Sequence, residues 1–340
     1  MTDKEGSMWR KLIVSLIIVS FSFAISPEKV SLEDVNRAIT QLKKARQQNN
    51  RQEEKYLLDW IKKTIINIST DQLKSDFCSP TSAQIQKALT IIRLSRNFEL
   101  YEIERVVTEW VRNAFVEYAR LKSSTTISEK ELNKLIQTAL SLGLGDLAES
   151  LASHGKIQSI CLEKWKGSIY WKQINTPAVE NIDLWSKINI KIEFVVSVDS
   201  NQQIHGFGKG NLIEYWTKIV CSNGEEKIIP SQISDPVFPV EIQGIKEGNF
   251  LKFTPYFNSR VNLGYAYLEC DETNIGEVTE RTINLGKVFT DILSPEGNKL
   301  LQVLIKGNTG SFTDKESGLT VTLTKIANHP SANIKPDNKN

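Results

Sequence analysis

Histidine is scarce in this chain, cysteine nearly so, and neither is spaced for chemistry. There are three histidines and four cysteines in 340 residues, and no CxxC pair occurs. Zinc sites draw on closely spaced cysteine and histidine ligands, so no metal site is expected. His154 lies at the end of a helical stretch, His205 on a glycine-rich arm and His329 in the C-terminal tail, which gives them no common location. No Gly-x-Ser-x-Gly is present either, so the nucleophile elbow of a serine hydrolase is missing. Charge excess is absent too: 42 basic residues balance 40 acidic ones, for a net charge of +2. A nucleic-acid surface needs a concentrated basic face, and none is visible. The one long uncharged apolar run, Leu12 to Ile25, is shorter than the roughly 20 residues a bilayer-spanning helix needs.

That run has a different reading. Trp9-Arg10-Lys11 precedes it, and Ser22-Phe23-Ala24 closes it with small residues. A basic segment, a short apolar core and a small-x-small exit make a secretory signal, so residues 1–24 are expected to direct export, with cleavage after Ala24. The alternative is an N-terminal membrane anchor left uncleaved, the one route by which this chain would touch a membrane. Export bears on the four cysteines, since an oxidising compartment permits disulfides. The pairs expected are Cys221–Cys270 and Cys78–Cys161; four buried free thiols are the alternative. The expected location is secreted, periplasmic or attached to the cell envelope.

Residues 31–155 carry apolar positions at the helical period and an internal repeat. Val35–Arg46 aligns without a gap on Ile85–Arg96, and Asp59–Lys62 on Glu109–Arg112, both at an offset of fifty residues. A shortened third copy begins at Leu132, opened by Ser128 and Glu131 in capping-box spacing. Turns near Gln48–Asn50, Arg96–Asn97 and Gly143–Gly145 make each copy a helical hairpin. Trp60 and Trp110 fall at the same place in successive copies and read as packing positions. Stacked helical hairpins bury shared apolar faces and commonly serve as protein-binding surfaces, an argument by architectural analogy.

After a linker at 156–164, residues 165–327 alternate at period two. The clearest stretch is Ile188–Cys221. Ile188, Ile190, Ile192, Phe194, Val196 and Val198 share one face, and the return arm sets Gly206, Gly208 and Gly210 on alternate positions. With Val198 opposite Ile204, Val196 faces Gly206, Phe194 faces Gly208 and Ile192 faces Gly210, so large side chains lie over glycines. A bulge is expected near Glu214, where the alternation slips phase. The glycine run lies between two strands and lacks the helix a phosphate loop requires. Further strands are expected at Trp165–Trp171, Val237–Ile242, Phe250–Phe257, Val261–Cys270, Gly276–Leu285, Leu300–Ile305 and Leu319–Ile326, with Pro239 marking a sheet edge. Residues 328–340 read as a disordered polar tail.

The expected architecture is therefore two-domain, α then β. An N-terminal all-α helical-hairpin repeat domain precedes a C-terminal all-β antiparallel sandwich, with a closed barrel as the alternative. The expected function is a non-enzymatic interaction or scaffold protein without a cofactor, meeting another protein through the helical repeats. Two alternatives stand beside it. One is a small-molecule binder with its site in the β domain, lined by Trp171, Phe207, Tyr215 and Trp216. The other is a hydrolase with a carboxylate site.

Overall fold

A computed structural model describes residues 30–124, 127–153, 155–175, 178–179, 182–220, 224–230, 233, 236–257, 260–266, 279–285, 300–315 and 317–326. The expected signal or anchor, the tail, His154, Cys221 and Cys270 lie outside them. The chain divides into two compact units, Met1–Ile68 and Ser69–Asn340. Among the described residues six helices come first: α1 (Leu32–Gln47), α2 (Arg51–Leu73), α3 (Ser82–Asn97), α4 (Tyr101–Ser123), α5 (Glu129–Ser141) and α6 (Gly145–Ala152). Among the described residues, no helix is long and apolar enough to cross a membrane.

The repeat in sequence is a repeat in structure. The ends of α1 and α2 recur fifty residues later as the ends of α3 and α4. Each hairpin opens on a capping box, Ser31 with Asp34, Thr81 with Gln84 and Ser128 with Glu131, which satisfies backbone N–H groups that a helix start leaves unpaired. Each turn places one residue in the left-handed region: Asn49 at φ 52°, Glu99 at φ 60° and Gly143 at φ 72°. An arginine before the turn reaches a glutamate after it, Arg46 to Glu54 and Arg96 to Glu104, each with Nε to carboxylate at 2.8 Å.

Twelve strands follow among the described residues: β1 (Glu163–Asn175), β2 (Ala178–Val179), β3 (Ile182–Val198), β4 (Gln203–Val220), β5 (Glu226–Pro230), β6 (Val237–Glu247), β7 (Phe250–Tyr256), β8 (Arg260–Ala266), β9 (Thr279–Asn284), β10 (Leu301–Lys306), β11 (Thr309–Asp314) and β12 (Leu319–Ile326). The sandwich expectation is corrected by their pairing. The order β3-β1-β12-β11-β10-β7-β6-β4 closes through β3–β4 into an eight-stranded antiparallel barrel, the alternative architecture. The first and last strands pair over Lys164–Trp171 and Leu319–Ile326, so the ring has no free edge. β8 and β9 pair antiparallel in a separate two-stranded sheet.

The register of β3 and β4 matches the glycine argument: Val196 faces Gly206, Phe194 faces Gly208 and Ile192 faces Gly210. The slip comes between Asn189 and Ile190, whose partners are Glu214 and Leu212, leaving Ile213 as the extra residue of a bulge. Pro239 is not on an edge, because β6 lies between β4 and β7. Among the described residues it pairs with Lys209 of β4, and the described pairing with β7 starts at Glu241.

Inward-facing residues alternate on every barrel strand and fill the interior. Trp165, Trp171, Phe194, Phe238 and Phe253 are the largest, packed among buried valines, leucines and isoleucines. At one end, Glu163, Lys246 and Lys325 continue the inward parity and form an ion cluster, with the Lys325 ammonium 5.4 Å from the centre of the Trp165 ring. Burial works to raise the Glu163 pKa, but hydrogen bonds from Lys246 and Lys325 outweigh it and hold the carboxyl below its ordinary value. A folded-state pKa below the unfolded one gives stability that is present above the unfolded pKa, near 4, and is lost as pH falls through the folded pKa. Glu163→Gln is therefore expected to lower stability at pH 7 and to flatten the stability loss below pH 4, measured as urea midpoints across that range. An unchanged acid profile would show that the cluster does not couple to folding.

Candidate functional site

The four aromatics expected to line a ligand site do not meet. Trp171 is inside the barrel, its Nε1 donating to the Ser317 carbonyl at 2.9 Å. Phe207 is equally buried but lies on the outer face of β4, where its ring meets Phe77 edge-on at 5.4 Å. Tyr215 packs against the barrel core. Its neighbour Trp216 faces the other way and donates to Glu214 at 3.1 Å, beside the Lys187–Glu214 ion pair.

Phe207 is covered because the wall formed by β1, β4 and β6 carries a layer built from the end of α2, the 74–81 connection and α4. Three charged contacts join layer to wall: Asp71 with Lys209 at 3.2 Å, Arg105 with Glu241 at 2.6 Å, and Asp76 with Lys164. Cys78 and Cys161, one of the pairs expected from the sequence, form a disulfide at the same place. Such a bond fits an oxidising compartment.

The linker before β1 is held by a buried carboxylate. Glu117 of α4 has no solvent exposure, and its Oε1 accepts from the Ile160 N–H at 2.6 Å and the Ser159 hydroxyl at 2.8 Å. Its Oε2 accepts from Arg120 Nε at 2.8 Å. Breaking a buried charged network strands its remaining members, so Glu117→Ala is expected to cost about 3 kcal/mol. It should also raise amide hydrogen exchange at Ile160, while exchange in the α6 core stays unchanged. A cost below about 0.5 kcal/mol would mean that water replaces the carboxylate freely.

One concave site is formed by three helices together with Ile127 of the connection before α5. α3, the C-terminal half of α4 and α5 enclose a groove with a cavity volume of about 140 Å³. Its floor is apolar: Ile85, Phe115 and Leu135 are all buried. Tyr118 forms one wall, its ring 6.2 Å from Phe115, with the Lys122 ammonium 5.9 Å from the Tyr118 ring centre. Lys134 and Glu131 stand on the α5 side. The Glu131 carboxylate is engaged in the capping box, where the Ser128 N–H and then its hydroxyl hold the carboxyl below the ordinary range. The third hairpin is fixed against α4 by Arg112, whose Nε donates to the Leu142 carbonyl at 2.9 Å. The repeat predicted the helices here but not the groove. Its residues occupy ordinary amphipathic positions, and only the capping box of α5 signalled where its third side begins.

Within Ser69–Asn340, helices joined to the wall of a closed, side-chain-filled antiparallel barrel define the class of architecture. No family model matches the chain, and no curated protein matches it. Among the described residues, no group of three or more histidine, cysteine, aspartate or glutamate side chains is placed to hold a metal ion.

Proposed function

We propose that this is an exported, non-enzymatic protein of the cell envelope or exterior that binds another protein through its helical hairpins, with the barrel as their platform. The groove at α3, α4 and α5 carries the reading: it combines a buried apolar floor with an aromatic wall and a charged rim. Protein interfaces concentrate affinity in such desolvated pockets ringed by polar groups. The barrel interior, in contrast, is occupied by the chain's own aromatic and aliphatic side chains. The basic, apolar and small-residue leader supports export, as does the Cys78–Cys161 disulfide.

The test places a photo-crosslinking amino acid at Thr138, on the groove, or at Thr320, on the outer face of β12, in the protein expressed by its own host. A discrete crosslinked protein from Thr138 alone is the expected result. Native mass spectrometry of the same preparation supplies the contrary outcome. A small molecule bound to the chain, with no crosslink from the groove, would overturn the reading in favour of ligand binding by the β domain.

A further inference from the structure

The size and charge of the groove narrow the chemistry of its occupant. We infer that it receives a single aromatic side chain from a partner segment, with acidic residues on either side of that anchor. The inference rests on the docking reading above and deepens it.

Volume decides between a small ligand and a side chain. Pockets for drug-sized ligands run to about 300–1,000 Å³, whereas a dry cavity of about 150 Å³ accepts benzene. At about 140 Å³ the groove belongs with the second. It has room for one ring, and the buried Ile85, Phe115 and Leu135 would give that ring an apolar floor. A protein supplies such a ring as an interface anchor.

Charge decides what flanks the anchor. Lys122 and Lys134 are both exposed and both border the groove. Glu131, the acid beside them, keeps its negative charge: the backbone N–H and hydroxyl of Ser128 that it accepts from favour the ionised carboxylate, and Lys122 does so as well. Two ammonium groups against one carboxylate leave the rim one positive charge in excess, and acidic neighbours of the anchor complement it.

Three N-acetylated, C-amidated pentapeptides test this on the full chain: Glu-Glu-Phe-Glu-Glu, Lys-Lys-Phe-Lys-Lys and Glu-Glu-Ala-Glu-Glu. The readout is the methyl NMR shifts of Ile85 and Leu135. The acidic phenylalanine peptide is expected to shift both methyls and to bind about tenfold more tightly than either control, a difference that 1.4 kcal/mol supplies. Lys122→Glu with Lys134→Glu, both on the surface, should remove that advantage and leave the fold intact. Thr138→Trp should fill the groove and abolish the shifts. Equal or tighter binding of the basic peptide would overturn the charge assignment. Equal shifts from the alanine peptide would overturn the aromatic anchor. No shift from any peptide, while Thr138 still crosslinks to a protein, would sink this inference and leave the docking reading standing. Failure of the crosslink as well would remove both.

Discussion

Replacing Cys78 and Cys161 together by serine is expected to lower the unfolding free energy by about 4 kcal/mol. The bond joins residues 83 apart in sequence, so its loss returns a long loop's freedom to the unfolded chain. The folded state should change little. Phe77 still packs on Phe207, and Asp71–Lys209, Asp76–Lys164 and Arg105–Glu241 still join layer to barrel wall. Urea unfolding of the oxidised and doubly substituted chains should show a lower midpoint for the latter, with the Phe77 and Phe207 ring signals retained in its native state. The slope should rise with the serine substitutions, because an uncrosslinked unfolded chain exposes more surface. A loss below about 1 kcal/mol would mean that the unfolded chain without the bond stays compact. Loss of the Phe77–Phe207 contact in the folded state would mean that the disulfide holds the layer in place and the ion pairs do not.

Local patterning carried much of this fold into the sequence. The three hairpins were legible because their registers repeat and a capping box is a short-range signal, as at Ser128 and Glu131. The β3–β4 register was legible because setting Val198 opposite Ile204 across the turn brings Val196, Phe194 and Ile192 over Gly206, Gly208 and Gly210. The bulge at Ile213 followed from the same phase count.

Non-local contacts were not legible. Closure of the barrel depends on Trp165–Trp171 meeting Leu319–Lys325, at opposite ends of the β region, and alternation in each strand is equally consistent with a sandwich. β11 went unseen because its inward positions hold Gly310, Phe312 and Asp314 in a polar hexapeptide, with a single large apolar side chain among them. Phe207 sits on what a period-two reading takes for the wet face; only the layer carrying Phe77 makes it a core position. The groove escaped notice for a related reason. Ile85, Phe115 and Leu135 are each unremarkable on their own helices, and the concavity exists only where three helices meet.

Phe238→Ala is expected to cost about 4 kcal/mol, and a second substitution isolates why. Phe238 is fully buried, its ring 4.9 Å from that of Phe257, and it lies directly opposite Gly210. A Cβ built on Gly210 would overlap the Phe238 ring, and all three of its nearest atoms belong to that ring. Gly210→Ala alone should therefore force the phenyl group off its seat, at about 1–3 kcal/mol. In the Phe238→Ala background the same methyl enters vacated space, and its cost should vanish or turn slightly favourable. The double-mutant cycle should then give a coupling of about 1–3 kcal/mol, far above the additivity error of separate sites. A cycle summing to zero would mean that the Gly210 strand shifts to admit the methyl without disturbing Phe238. The glycine would then serve backbone bending. A large coupling makes it an empty position inside the barrel, as expected of these alternate glycines, but one kept empty for the Phe238 ring of β6 and not only for Ile192, which the alternation set opposite it.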